Sequence, residues 1–123
     1  MTEYPRIKSI DDFVVYQKAV KVFDAFTDED LPILSENFAS RELAKNQIRC
    51  LDSICANMEE GYARKSGKEL KHFFRMSRGS TGESKGRYKR LRKFLPAEII
   101  KKRVSQLDEI QAMLHSLISK LSD

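Results

Sequence analysis

Apolar residues recur at Ile99/Ile100, Val104 (or Arg103), Leu107, Ile110, Met113/Leu114, Leu117/Ile118 and Leu121, at three- and four-residue intervals. That period places them on one stripe of an α-helix and cannot be satisfied by a strand, whose faces alternate every second residue. An amphipathic helix this apolar on one side is stable only when the stripe is buried against partners. Those partners must be helices too, because no segment sustains period-two alternation and no Asn-Gly or Asp-Gly hairpin turn occurs.

The helical period appears three more times. A first segment follows Ser9-Ile10-Asp11-Asp12, a cluster of candidate N-caps, and carries Phe13, Tyr16, Val20 and Phe23. It is expected to stop in the acidic stretch Thr27-Asp28-Glu29-Asp30-Leu31-Pro32. A second begins near Phe38 to Arg41 and carries Leu43/Ala44, Ile48, Leu51, Ile54/Cys55 and Met58, with Gly61 placed to end it. Ser66 with Glu69 reads as a capping box opening a third, expected to run to about Phe94 with Leu70, Phe73/Phe74, Ser77, Thr81, Ser84, Tyr88, Leu91 and Leu95 on its inner side. Pro96 then sits where a first helical turn accepts proline.

These readings add up to an all-α protein, a single domain over residues 1–123, built as an antiparallel up-down-up-down four-helix bundle with short connections. Gly79, Gly82 and Gly86 bear on the third helix, since each costs about 1 kcal/mol relative to alanine in an exposed helix interior. Either the helix breaks there, or small residues let a neighbouring backbone or a polyanion approach closely; the expectation is a continuous helix. Once the bundle is filled, Tyr16, Phe26 and Phe38 are candidates for exposed apolar surface.

Charge is segregated along the chain. Between Arg64 and Arg103 there are 15 lysines and arginines against Glu69, Glu83 and Glu98, a local charge of +12, whereas the whole chain is +5. The remainder is therefore −7. On a continuous third helix Lys71, Arg78, Lys85 and Arg92 recur every seven residues, drifting about 20° per heptad. Lys68, Arg75 and Lys89 lie beside them and Lys93 one step around. The inner set lies roughly 110° away, and Lys68 to Arg92 spans roughly 36 Å, about one turn of a nucleic-acid duplex. Ordinary exposed helices interleave signs to gain ion pairs. A face nearly free of acids instead points to a polyanionic partner, met through phosphate and shape because no helix-turn-helix, zinc-finger or RNP-like motif accompanies it.

Chemistry beyond binding has no visible carrier. His72 and His115 are isolated, Gly79-Ser80-Thr81-Gly82 lacks the ending of a P-loop, and adjacent Glu59 and Glu60 diverge on a helix. One of those glutamates is expected to pair with an arginine of a neighbouring helix. Cys50 and Cys55 point in different directions from one helix, so reduced, structural thiols are expected, with neither a disulfide nor a zinc site. No catalytic residue, metal or cofactor is expected. Hydrophobic residues at 41% and charged residues at 33% argue against disorder, and no apolar run approaches a membrane span or a signal region after Met1. The expected location is cytoplasmic.

A set of motifs along nearly the whole chain carries a family resemblance: Phe13-Val14-Val15-Tyr16-Gln17-Lys18-Ala19, Gln47-Ile48-Arg49 with Ser53, Ala56-Asn57-Met58-Glu59-Glu60-Gly61, Ser66 with Lys68-Glu69 and Phe73, and Gly79-Ser80 with Glu83. In this order they resemble the four-helix-bundle proteins named after the 23S rRNA intervening sequence, a family that includes the accessory variability determinants of diversity-generating retroelements. The resemblance implies a homopentameric ring of antiparallel bundles and a non-enzymatic role in binding RNA or DNA through a positive surface. In retroelement members it also implies docking on a reverse transcriptase, and it supports a continuous third helix. Glu59 stands where the family usually has alanine, while Gly82, Ser84 and Gly86 are smaller or more polar than usual. Lys85 and Arg87 replace acidic or neutral residues, which adds to the cationic character.

Two functions are thus expected in order. The first is nucleic-acid binding through Lys68, Lys71, Arg75, Arg78, Lys85, Lys89, Arg92 and Lys93 in a self-associating protein. The second is a protein-interaction adaptor, for example one docking on a reverse transcriptase.

Overall fold

The computed structural model describes residues 9–64 and 66–121. Lys65, one of the bases of the charged run, lies outside the described residues. Among those described there is no strand; the elements are a 3₁₀ turn (Ile10–Asp12), α1 (Val14–Ala25), a π-helical turn (Phe26–Asp30), α2 (Leu31–Leu34), α3 (Phe38–Arg64), α4 (Gly67–Arg90) and α5 (Ala97–Lys120). α1, the π turn and α2 follow one another without interruption, so the described residues form four long helical stretches.

The first stretch outruns the sequence expectation. The acidic segment does not end it: the path tightens into the π turn and continues through Pro32 to Leu34. Pro32 stands directly after the π turn, in the first turn of α2, where the helical hydrogen-bond ladder changes register. Ser9 and Asp12 cap the 3₁₀ turn rather than α1, through a Ser9 N–H to Asp12 Oδ2 bond of 3.2 Å.

Gly61 does not end the second stretch either, because α3 continues to Arg64. Its role is close approach: a Cβ there would lie 2.8 Å from Phe73 Cβ and 3.3 Å from Leu70 Cδ1, both on α4. At Ser66 the expected cap is present, its Oγ accepting from the Glu69 N–H at 3.4 Å. α4 then runs unbroken through Gly79, Gly82 and Gly86, but stops at Arg90, with Leu91–Leu95 in a turn. Arg92 and Lys93 therefore stand beyond the helix whose row they were expected to extend.

α4 packs between α3 and α5, and α1 leans on both of those helices. Along α3 and α4 the partners are Gln47–Ser84, Cys50–Glu83, Ser53–Ser80 and Ile54–Ser77, so residue numbers fall on one helix as they rise on the other. Ser77, Thr81 and Ser84 are fully buried. Small side chains let α3 come close, and two of the hydroxyls are satisfied by carbonyls: Ser77 Oγ donates to Ile54 O at 2.8 Å, and Thr81 Oγ1 to Ser77 O at 2.7 Å. The apolar core gathers Val15, Val22, Phe26, Leu51, Ile54, Met58, Phe74, Tyr88, Leu107, Ile110 and Leu114 from all four stretches.

Of the three aromatics expected to be exposed, Phe26 is instead buried against Tyr88, their rings edge-on at 6.2 Å. Tyr16 is half-buried and donates its hydroxyl to Glu59 Oε2 at 2.7 Å, while Phe38 is 71% exposed. Among the described residues Glu59 accepts from Tyr16 and Glu60 pairs within α3, with Arg64, rather than with an arginine of another helix.

One group of the charged run is internal. Arg103 is 1% exposed, and Asp30 at the end of the π turn is fully buried beside it. Arg103 Nε donates to Asp30 Oδ2 at 3.0 Å and Nη2 to Oδ1 at 3.1 Å, a fork that matches the carboxylate plane. Nη2 also donates to Glu29 Oε1 at 2.7 Å, and Tyr88 donates its hydroxyl to Asp30 Oδ2 at 2.6 Å. The π turn, α4 and α5 are tied together at this point. Burial and the Asp30 bond push the Tyr88 phenol well above its ordinary range, and the Arg103 bond holds the Glu29 carboxyl below its own.

Candidate nucleic-acid interface

The eight cations singled out on and after α4 divide into two groups. Lys71, Arg78 and Lys85, seven residues apart, are half-buried along the seam with α5. Lys71 Nζ donates to Leu121 O at 3.2 Å, Arg78 Nη1 lies 3.1 Å from His115 Nδ1, and Lys85 Nζ donates to Asp108 Oδ1 at 2.8 Å and Gln111 Oε1 at 2.9 Å. Because arginine has no acceptor, His115 Nδ1 must be the unprotonated ring nitrogen in that contact. α5 thus supplies a matching column of acceptors, and this row serves helix packing as well as surface charge.

The other group points outward. Lys68, Arg75 and Lys89 share a second seven-residue row, and all three are exposed, as are Arg92 and Lys93 in the turn after the helix. Arg92 Nη1 donates to Lys89 O at 3.3 Å. His72 and Arg90 are exposed on the same side, although neither is in the set chosen from sequence. Gly79, Gly82 and Gly86 occupy the middle of this face. A Cβ at Gly79 would meet nothing within 4 Å, and at Gly82 and Gly86 only side-chain ends, Gln111 Nε2 at 3.1 Å and Arg90 Nη1 at 3.5 Å. Among the described residues no neighbouring backbone lies within 4 Å of these positions, so a stretch of helix covered only by side-chain ends lies between the cations at its two ends.

Two acids accompany them on α4, and both are engaged. Glu83 accepts from the Cys50 thiol at 3.2 Å and from Arg87 Nη2 at 3.4 Å; the thiol bond and the arginine hold its carboxyl below its ordinary range. Glu69 lies 3.8 Å from Arg64 Nη1. Cys50 and Cys55 are buried free thiols, and burial pushes Cys55 up to about 12. Among the described residues no cluster of three or more His, Cys, Asp or Glu side chains is placed to hold a metal, and no helix is long and apolar enough to cross a membrane.

At the α3–α4 corner the surface is concave. Arg64, Lys68, Glu69, His72, Phe73 and Arg75 line a pocket of about 590 Å³. Sequence reasoning had Lys68 and Arg75 but not Arg64, which reaches back across the corner with its guanidinium carbon 5.4 Å from the Phe73 ring centroid. The signal was present as Gly61, whose missing side chain brings α4 to within Arg64's reach.

The family model for the 23S rRNA-intervening sequence protein matches residues 11–116, nearly all of the helical stretches. The chain belongs to that family. No curated protein and no solved structure matches it. The matched span of this family member contains α1, α3 and α4 entire and all but the last turn of α5.

Proposed function

We propose that this protein is a non-enzymatic, oligomeric nucleic-acid-binding protein that recognises RNA or DNA through phosphate contacts made by a basic patch on α4 and the turn after it. The observation that carries the reading is the outward set Lys68, Arg75, Lys89, Arg92 and Lys93, exposed together while the acids of the same helix are engaged elsewhere. Cations left in water at this density repel one another, and a polyanion relieves that repulsion while releasing its own counterions. Membership of a family named for an intervening sequence of 23S rRNA is consistent with such a partner.

The protomer is read as an antiparallel up-down-up-down bundle, which the opposed order of the α3–α4 and α4–α5 partners supports. Closure into a homopentameric ring is part of the proposal, as the family resemblance implies it. In a ring, several modest phosphate sites on one rigid body gain through effective concentration. The test is binding of labelled structured RNA and of duplex DNA to the wild type, to Lys68→Glu/Arg75→Glu/Lys89→Glu/Lys93→Glu, and to Lys85→Gln. Loss in the fourfold variant with retention in Lys85→Gln supports the outward patch. Unchanged affinity in the fourfold variant refutes it.

A second reading, an adaptor that docks on another protein such as a reverse transcriptase, is favoured by Phe38, a large side chain 71% exposed at the start of α3. A partner retained after nuclease treatment and lost in Phe38→Ser would support it.

A further inference from the structure

We propose that the pocket at the α3–α4 corner binds a nucleoside phosphomonoester, either the phosphorylated end of a strand or a free nucleotide. The proposal rests on the reading of α4 as an anion-binding face and names what one end of that face takes.

Its volume of about 590 Å³ suits a ligand of nucleotide size. Lys68, His72 and Arg75 stand at positions i, i+4 and i+7 of α4, so they rise in one line over roughly 10 Å. Lys68 and Arg75 are exposed and have no side-chain partner among the described residues. Arg64 is different, since its Nε and Nη2 already donate to Glu60 Oε1 at 3.0 and 2.7 Å. Lys68 and Arg75 therefore remain the two cations free to donate to a ligand, with Glu69 the one acid among the lining residues. A phosphomonoester, with three strong acceptor oxygens and a charge of about −1.5 to −2 near neutrality, accepts from both cations at once, whereas an internal phosphodiester brings two free oxygens and one charge. Internal backbone phosphates can be met by the cations at either end of the α4 face; at this corner two unpaired cations adjoin a concave wall.

The wall is aromatic. Phe73 is half-buried, with Arg64 over its ring and His72 edge-on at 5.1 Å. Its root is fixed by the α3 approach at Gly61, so the ring is held in place before a ligand arrives. The guanidinium, backed by the Phe73 ring, presents a plane on which a nucleobase stacks. Phosphate donors on one side and a stacking surface on the other specify a nucleotide rather than bare phosphate. Glu69, the acid of the lining, lies towards Arg64, 3.8 Å from its Nη1.

The experiment uses the full chain and one labelled RNA strand prepared with a 5′-phosphate, a 3′-phosphate or hydroxyls at both ends, with AMP, adenosine and inorganic phosphate as competitors. A phosphorylated end is expected to bind about tenfold more tightly than a hydroxyl end, the effect of one charge-assisted hydrogen bond. AMP should displace it at concentrations where adenosine and inorganic phosphate do not. Arg75→Ala should remove the preference for the phosphorylated end, while Lys89→Glu should weaken all strands alike and leave that preference intact. Strand binding with no end preference and no competition by AMP overturns the pocket and leaves the patch standing. AMP binding without strand binding supports the pocket as a free-nucleotide site and overturns the patch. Equal competition by AMP and inorganic phosphate overturns the nucleoside part of the proposal.

Discussion

Replacing Arg103 with methionine keeps much of the side-chain volume and removes the guanidinium from the buried tie between the π turn, α4 and α5. Asp30, fully buried, then loses both forked hydrogen bonds and keeps the Tyr88 hydroxyl at 2.6 Å as its remaining donor. Removing one partner of a buried pair leaves an uncompensated charge and costs about 3–5 kcal/mol. A chain of 123 residues has a total stability of about 6–18 kcal/mol, so the loss is a large fraction of it. Urea unfolding followed by far-UV circular dichroism, at fixed protein concentration, measures it. The reasoning also fixes a compensating variant. With Asp30→Leu and Tyr88→Phe added to Arg103→Met, no buried charge or orphaned hydroxyl remains, and stability should return to within about 2 kcal/mol of the wild type. A loss under about 1 kcal/mol in Arg103→Met, or a triple variant no more stable than the single one, would refute the role assigned to the tie.

The two kinds of glycine should respond with opposite signs: Gly79→Ala stabilises by about 0.5–1 kcal/mol, because its Cβ enters open space, whereas Gly61→Ala destabilises, because its Cβ would lie 2.8 Å from Phe73 Cβ. Denaturant midpoints read both. Iodoacetamide should label neither Cys50 nor Cys55 in the native protein and both after unfolding, since burial raises both thiols, Cys55 to about 12; rapid native labelling would contradict their placement. At alkaline pH the unfolded chain releases the Tyr88 proton near its ordinary value of 10.0, while the folded state, with its raised value, holds it. The contribution is therefore intact below pH 10 and is lost as pH rises through the folded value, at up to ~1.4 kcal/mol per pH unit for this group. Tyr88→Phe should flatten that alkaline fall, and an unchanged profile would count against it.

Helix content and inner faces were legible because the 3.6-residue period survives even where the buried residues are small, as at Ser77, Thr81 and Ser84. Helix ends were less so. Gly61 carries the sequence signature of a C-terminus, yet it serves the approach of α4, a fact held by Leu70 and Phe73 and not by its neighbours. Arg103 keeps step with Leu107, Ile110 and Leu114, so periodicity placed it inward while its charge argued outward. What resolves that conflict is Asp30, 73 residues away. The same limit applies to the site. Sequence spacing found the cations of α4, but sorting Lys71, Arg78 and Lys85 from Lys68, Arg75 and Lys89 required knowing which side of α4 meets Asp108, Gln111 and His115.

The most direct test of phosphate recognition by the outward cations is the salt dependence of RNA and duplex DNA binding, measured in parallel for the wild type and the Lys68/Arg75/Lys89/Lys93 reversal variant. Four phosphate contacts predict a log–log slope of about −2.8 to −3.6, depending on strandedness, and steeper slopes if more protomers engage. The variant should lose both affinity and slope. Binding that ignores salt, or a slope that is the same in both proteins, would contradict the account.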